Sequence, residues 1–297
     1  ALIDAIETFH PHAVLVYGWN FPGHWATMRH FKGNVPVWFR GDSTLLDPTP
    51  FWRRTLRRML LKAVYKSIDL AFYVGQANKR YFHWAGLLDD QLMYAPHAVD
   101  NEFFLEESEK QQLEAEQLRK TLGIPKEATI FLFVGKMEEK KQPTLLGKAV
   151  LSLNTQNAHL IYIGSGSLLE SLKTSFDSSP YIHFVGFQNQ QSMPLWYALG
   201  DVLCLPSKGP GETWGLAVNE AVACGCYIIV SNRVGCYEDV VQSEEIGLTF
   251  DALDEDKLLE KLKKVTESSV RLSTKAKVEF IEKFRYENFK DSILAEL

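Results

Sequence analysis

SKGPGETWGLAVNEAVACG, residues 207–225, is the stretch that decides how this chain is read. A short apolar run, VLCLPS, ends at its first residue. A Gly/Pro-rich loop follows, Lys208 to Gly211, and a helix-like segment opens near Gly215. A strand that hands over to a helix through such a loop leaves the first backbone N–H groups of the helix unpaired. Their partial positive charge suits a phosphate. Glu212 falls in the loop, and Glu220 falls about a turn and a half into the helix. Carboxylates accept hydrogen bonds from sugar and ribose hydroxyls. A diphosphate-binding loop between two such carboxylates describes a nucleotide-sugar site. The competing reading is an acidic cap followed by an ordinary helical glutamate.

The same rhythm runs outward through the chain. AVLVYG, VPVWFRG, LAFYVG and LMYAPHAV stand in the first part. TIFLFVG, HLIYIG, IHFVG, VLCLPS, YIIVS and GLTF stand in the second. Segments of helical length and period lie between them. Near-continuous apolar strands that alternate with helices imply parallel sheets covered on both faces. Ligands of such sheets bind beyond the carboxyl ends of the strands. The fold class expected is therefore α/β, with two Rossmann-like doubly wound domains. Four runs in the first part against six in the second make the N-terminal domain look incomplete. A polar stretch, LEESEKQQLEAEQLRKTLGIPKEA (105–128), separates them, so the boundary is placed near Phe104.

Composition narrows the class. The 297 residues are 46% hydrophobic and 23% charged, as in soluble globular proteins. No apolar run approaches the ~20 residues of a membrane span. ALIDAIETFHPH at the start lacks the form of a secretory signal, and with no initiator Met the chain reads as a fragment or a trimmed form. A cytoplasmic location is expected. The four cysteines, Cys204, Cys224, Cys226 and Cys236, read as reduced, buried thiols and not as a zinc site. Net charge of -5 argues against nucleic acid as a partner. Residues 1–104 nevertheless carry 11 basic against 9 acidic residues, so the first part is the one suited to an anionic surface.

Further candidates lie at strand ends. In VGKMEEKKQP a strand stops at Gly135, and Lys136 and Lys141 follow; Lys140 is the alternative to Lys141. Two ammonium groups there would neutralise a departing diphosphate. Gly164 and Gly166 end a strand in LIYIGSGSLLESL. A nicotinamide fingerprint fails because Leu169 occupies the third glycine position. Phe187, after the strand IHFVG, would cover a base, or would simply pack. Asp254, Glu255 and Asp256 open a helix and read as caps, so no metal site is expected.

Glu212 and Glu220, the Gly-Lys136-to-Lys141 segment and the Gly164/Gly166 turn resemble retaining family 4 glycosyltransferases (glycosyl transferases group 1), which have the GT-B fold. The segment IHFVGFQNQQSMPLWYALGDVLCLPS, the segment YAPHAVDNEFF and the terminal FRYENF resemble that family in the same order, over roughly residues 92–297. Lys136 stands where the family has Arg, and His97 where it has Asn. The resemblance implies two domains facing a cleft: residues 1–104 on the acceptor side, 105–275 binding the donor, and 276–297 returning as a helix to the first. It implies a retaining hexosyl transfer from a UDP- or GDP-sugar to a glycan or lipid-linked acceptor, in cell-surface polysaccharide synthesis, without a cofactor. Catalytic roles fall on Glu212, Lys136 and Lys141. Donor contacts fall on Gly135, Gly164, Gly166, Val185, Phe187, Thr213, Trp214, Gly215, Leu216 and Glu220. A non-catalytic partner subunit, or a nucleotide-sugar epimerase or hydrolase, are the rival readings.

The first part offers acceptor-side candidates. Trp19, His24, Arg40 and Asp42 follow its first two strands, with Phe21 and Trp25 nearby. Asp42 stands where many family members have a His. Finally, PFWRRTLRRMLLKAVYKS (50–67) reads as a basic amphipathic helix. It would either touch an anionic membrane or pack its apolar stripe on the sheet.

Overall fold

The computed structural model describes residues 2–268 and 270–296. All ten expected strands form. They are β1 (Val14–Tyr17), β2 (Val37–Arg40), β3 (Leu70–Tyr73), β4 (Leu92–Tyr94), β5 (Thr129–Val134), β6 (Ala158–Ile163), β7 (Ile182–Gly186), β8 (Val202–Leu205), β9 (Tyr227–Ser231) and β10 (Gly247–Phe250). Every pairing is parallel. The chain divides into two compact units, one from the N-terminal part to His97 together with the segment from Tyr286, the other Ala98–Arg285.

In the first unit the sheet order is β1-β2-β3-β4. Period-two alternation sends Val37 and Phe39 to a core with Met28, Leu61, Tyr65 and Phe82. Trp38, on the other face, joins Phe72 and Ala95, with Phe289 and Ile293 of the helix Tyr286–Leu294 packed against them.

The second unit has the order β10-β9-β8-β5-β6-β7. Strands β8 and β9 are buried along their whole length, as a sheet covered on both faces requires. Consecutive strands run outward on either side of β5 and β8. The topological switch, where ligands of doubly wound sheets bind, therefore lies between those two strands.

The domain limits differ from those expected. The second unit opens earlier, at Ala98, and the polar stretch after Phe104 lies within it on two helices, Asn101–Lys110 and Gln112–Thr121. Phe104 is fully buried there, with its ring 6.1 Å from Tyr197. The helix Thr274–Lys283 also stays in that unit, because Ala276, Phe280 and Phe284 are buried in it. Only the segment from Tyr286 returns to the first unit. The expected ranges ran to residues 1 and 297, which lie outside the described residues. No helix among the described residues is long and apolar enough to cross a membrane.

Candidate functional site

Two loops flank the switch of the second unit, and they are knitted together. The loop after β5 carries Lys136 and a single tight turn, Glu139–Lys141. The loop after β8 carries Glu212. Lys208 N donates to Lys140 O at 2.8 Å, and Gln142 Nε2 donates to Pro206 O at 2.8 Å. Lys208 Nζ pairs with Glu139 at 2.9 Å.

The centre of the site is the pair Lys141 Nζ–Glu212 Oε2, 2.8 Å apart, with the two side chains 18% and 13% exposed. Ser207 Oγ donates to the same carboxylate oxygen at 2.9 Å. Lys141 folds back over Gly135. Of the two adjacent lysines, Lys141 is thus the one in the site; Lys140 turns toward Glu138 at 3.5 Å. Lys136 is exposed beside it.

Glu212 is held from behind. Gly235 N donates to Glu212 O at 2.9 Å, and Cys236 N donates to Trp214 O at 3.1 Å. A Cβ on Gly235 would sit 1.7 Å from Thr213 O, so only glycine permits this approach. The Trp214 indole faces inward. Its Nε1 donates to Asn219 Oδ1 at 2.8 Å and its ring meets Phe284 at 5.9 Å. Gly215 caps the helix Leu216–Ala223, whose first residue, Leu216, is exposed. Glu220 lies in that helix and accepts from the Tyr197 hydroxyl at 2.8 Å. Burial pushes the Glu220 pKa up, and the Tyr197 bond pulls it back.

Gly164 and Gly166 have a packing reason for being glycine. Gly164, at φ +137°, would put a Cβ 2.1 Å from Gly135 O, and Gly166 meets the backbone of Met137 in the same way. They stack the loop after β6 on the loop after β5, with Met137 N donating to Ser165 O at 2.8 Å. At the end of β7, Val185 is half-buried and Phe187 projects, 74% exposed.

In the first unit the acceptor-side candidates separate. Trp19 and Asp42 line a cavity of about 160 Å³ at the ends of β1 and β2, together with Asn20, Ser43 and Arg57. His24 does not line it; its Nδ1 lies 3.1 Å from the carbonyl oxygen of Gly18, which does, and its ring is edge-on to Phe21. Arg40 does not open to a ligand. It is buried, its two terminal nitrogens donate to Ala95 O at 2.8 Å and Pro96 O at 3.3 Å, and its guanidinium lies 4.5 Å over Phe289. Burial lowers its pKa from the usual arginine value. Arg40 is a structural tie between strand ends and the last helix of that unit, which corrects the expectation for it. Beside it, His97 has its pKa lowered to about 4, chiefly by burial and further by Arg40, against Asp42.

Sequence reasoning missed Ser207, Tyr197 and Asn219 as partners of the site. Each lies within a segment already singled out, but nothing local in the sequence says which side chain it meets. Asp254 caps the helix Glu255–Ser268 as read, accepting from Lys257 N at 3.1 Å. The four cysteines are buried and free. Among the described residues, no group of three or more His, Cys, Asp or Glu is placed to hold a metal ion.

Two parallel α/β units, the second doubly wound with a lysine–glutamate pair at its switch, define a protein of the GT-B class. Solved structures of that class superpose on it. The UDP complex of Anabaena Alr3699/HepE matches with a TM-score of 0.79 at 16% identity, over 100% of this chain and 82% of that one. Sucrose-phosphate synthase of Thermosynechococcus elongatus matches with a TM-score of 0.74 at 17% identity, over 99% and 76%. Residues 114–285 match the family Glycosyl transferases group 1, and the chain belongs to that family. Among curated relatives, D-inositol 3-phosphate glycosyltransferase of Thermomonospora curvata is 31% identical over 154 residues, 47% of this chain and 35% of that protein. O-antigen biosynthesis glycosyltransferase WbnH of Escherichia coli is 28% identical over 158 residues, 50% and 43%. The aligned part is less than half the length of these relatives.

Proposed function

We propose that this protein is a retaining glycosyltransferase that moves a hexosyl group from a UDP- or GDP-sugar to a glycan or lipid-linked acceptor, in cell-surface polysaccharide synthesis. The observation that carries the reading is the buried-edge pair Lys141–Glu212 at the switch of the second sheet. A carboxylate and an ammonium held 2.8 Å apart are the two charges a nucleotide-sugar needs at its reacting end. The sugar hydroxyls would take the place of Lys141 on Glu212. The freed ammonium, with exposed Lys136 and the backbone around Thr213 to Leu216, would stabilise the departing diphosphate.

Glu220 would accept from the ribose hydroxyls, held in place by Tyr197. Phe187 would cover the base, with the backbone of Val185 beside it. Positive charge from two lysines fills the role that a metal fills elsewhere, so the reaction in this reading needs none. The cavity with Trp19 and Asp42, beside His24, would receive the acceptor, and attack on the anomeric carbon would come from the face the diphosphate leaves. Neighbours of this fold were solved with UDP and with UDP-glucose, which supports a nucleotide-sugar donor. We place the enzyme in the cytoplasm, peripheral on the inner face of the membrane.

The experiment is thermal unfolding with UDP or GDP in the presence of EDTA. A rise in the midpoint with one of them is expected. No shift until a divalent metal is added would defeat the metal-free form of the proposal.

A further inference from the structure

The helix Phe51–Tyr65 has two faces with different surroundings. Leu61, Val64 and Tyr65 are buried in the first unit. On that side Arg54 lies 5.7 Å over the Trp84 ring, and Arg57 lies 5.4 Å over Tyr81. Arg58 Nε donates to Trp84 O at 2.8 Å. These contacts hold the helix against its neighbour, Gln76–Ala85. The apolar stripe singled out in the sequence is mostly not part of that packing. Phe51 is 84% exposed, Trp52 62%, Leu56 63% and Met59 65%, and every residue from 51 to 60 is exposed.

At ~100° per residue, Phe51, Trp52, Leu56, Met59, Leu60 and Ala63 fall on one half of the helix. Arg53 borders that half just beyond Leu60, and Lys62 and Lys66 fall inside its opposite edge, between Phe51 and Met59. No acidic residue occurs between Asp47 and Asp69. A cleft of about 320 Å³ beside the last turn gathers Lys62, Lys66 and Lys32, the last shared with Asp69.

We propose that this face lies on an anionic lipid bilayer. The helix axis would run along the surface, with Trp52, Leu56 and Met59 entering the acyl-chain boundary. The flanking cations would meet lipid phosphates, their aliphatic stems lying along the apolar strip. A charge-balanced protein partner would not need cations at both edges and no carboxylate in the helix. An anionic membrane matches both. The proposal draws its purpose, access to a lipid-linked acceptor, from the glycosyl-transfer reading; its geometry is independent of that reading.

The test is co-sedimentation of the full chain with phosphatidylglycerol-containing vesicles and with pure phosphatidylcholine vesicles at low salt. The same preparation is assayed for its UDP or GDP thermal shift. About tenfold or greater preference for the anionic vesicles is expected. The exposed double change Trp52→Ser/Met59→Ser should cut that binding about tenfold without altering the unfolding midpoint or the nucleotide shift. Arg53→Gln/Lys66→Gln should reduce the preference for anionic lipid, and added salt should do the same. Equal pelleting with both lipids overturns the proposal. So does unchanged binding by the apolar double variant, or a dimer broken by that variant in a protein that ignores vesicles, since a second copy then covers the face. Vesicle binding without a nucleotide shift removes the donor reading alone, and a shift without vesicle binding removes the surface alone.

Discussion

In the first unit four parallel strands stand in chain order, while in the second the order runs outward both ways from β5 and β8. Only the second, among the described residues, has a topological switch, between β5 and β8. There polar side chains pair with one another: Lys141 with Glu212, Tyr197 with Glu220. At the strand ends of the first unit the strongest polar group, Arg40, is spent on two carbonyls and a phenyl ring. A cation at a strand end is thus tied to backbone carbonyls in one sheet and to a carboxylate in the other. Its neighbours decide which.

That contrast can be broken. The largest effect expected is from Gly235→Ala, which forces the segment after β9 away from the Glu212 loop. Loss of about 3 kcal/mol or more of stability is predicted, seen as a lower unfolding midpoint and lost nucleotide binding. A stable Gly235→Ala protein that binds nucleotide would show the loop to be far more tolerant than described.

Arg40→Ala should cost about 2–3 kcal/mol through its lost charged hydrogen bonds, with nucleotide affinity unchanged. If it keeps full stability and loses transfer activity, Arg40 belongs to the acceptor site after all, and the contrast fails.

Glu220→Ala should weaken nucleotide binding by ~1.5–3 kcal/mol, about tenfold or more. Glu212→Ala should mainly lower turnover. Tyr197→Phe removes the bond that pulls the Glu220 pKa down, so the titration of that carboxyl should move upward. An unmoved titration, followed by NMR or by nucleotide affinity against pH, would separate Tyr197 from Glu220.

The smallest effect is a pH dependence shared by the units. His97 in the first and buried His159 in the second both have pKa values lowered from 6.5 to about 4. For each, burial is the main cause; His183 beside His159 adds to it. Between pH 6.5 and 4 the unfolded chain binds protons that these folded histidines refuse. Their share of stability is therefore complete above pH 6.5 and declines as pH falls through that window. His97→Asn and His159→Gln should each flatten part of the slope in unfolding midpoint against pH. A slope indifferent to both would place the proton uptake elsewhere.

The strands were legible because a buried parallel strand needs apolar residues on both faces, and such runs as TIFLFV and YIIVS stand out without help from neighbours. The glutamate pair and the lysine loop were legible because their spacing is local. What stayed hidden is long-range. Arg40 meets carbonyls more than fifty positions away, and Phe104 packs against a helix that begins at Met193. The amphipathic helix showed its apolar stripe in sequence, but not which side of it the fold would leave bare.

The central claim is that the donor site belongs to the second unit and turns on Lys141 and Glu220. Calorimetric affinity for UDP and GDP, measured in EDTA for the unaltered protein, Lys141→Met, Glu220→Ala and Asp42→Asn, tests it most directly. The account predicts about tenfold or greater loss in the first two variants and no change in Asp42→Asn. Undiminished affinity in Lys141→Met and Glu220→Ala, or a loss confined to Asp42→Asn, would contradict it.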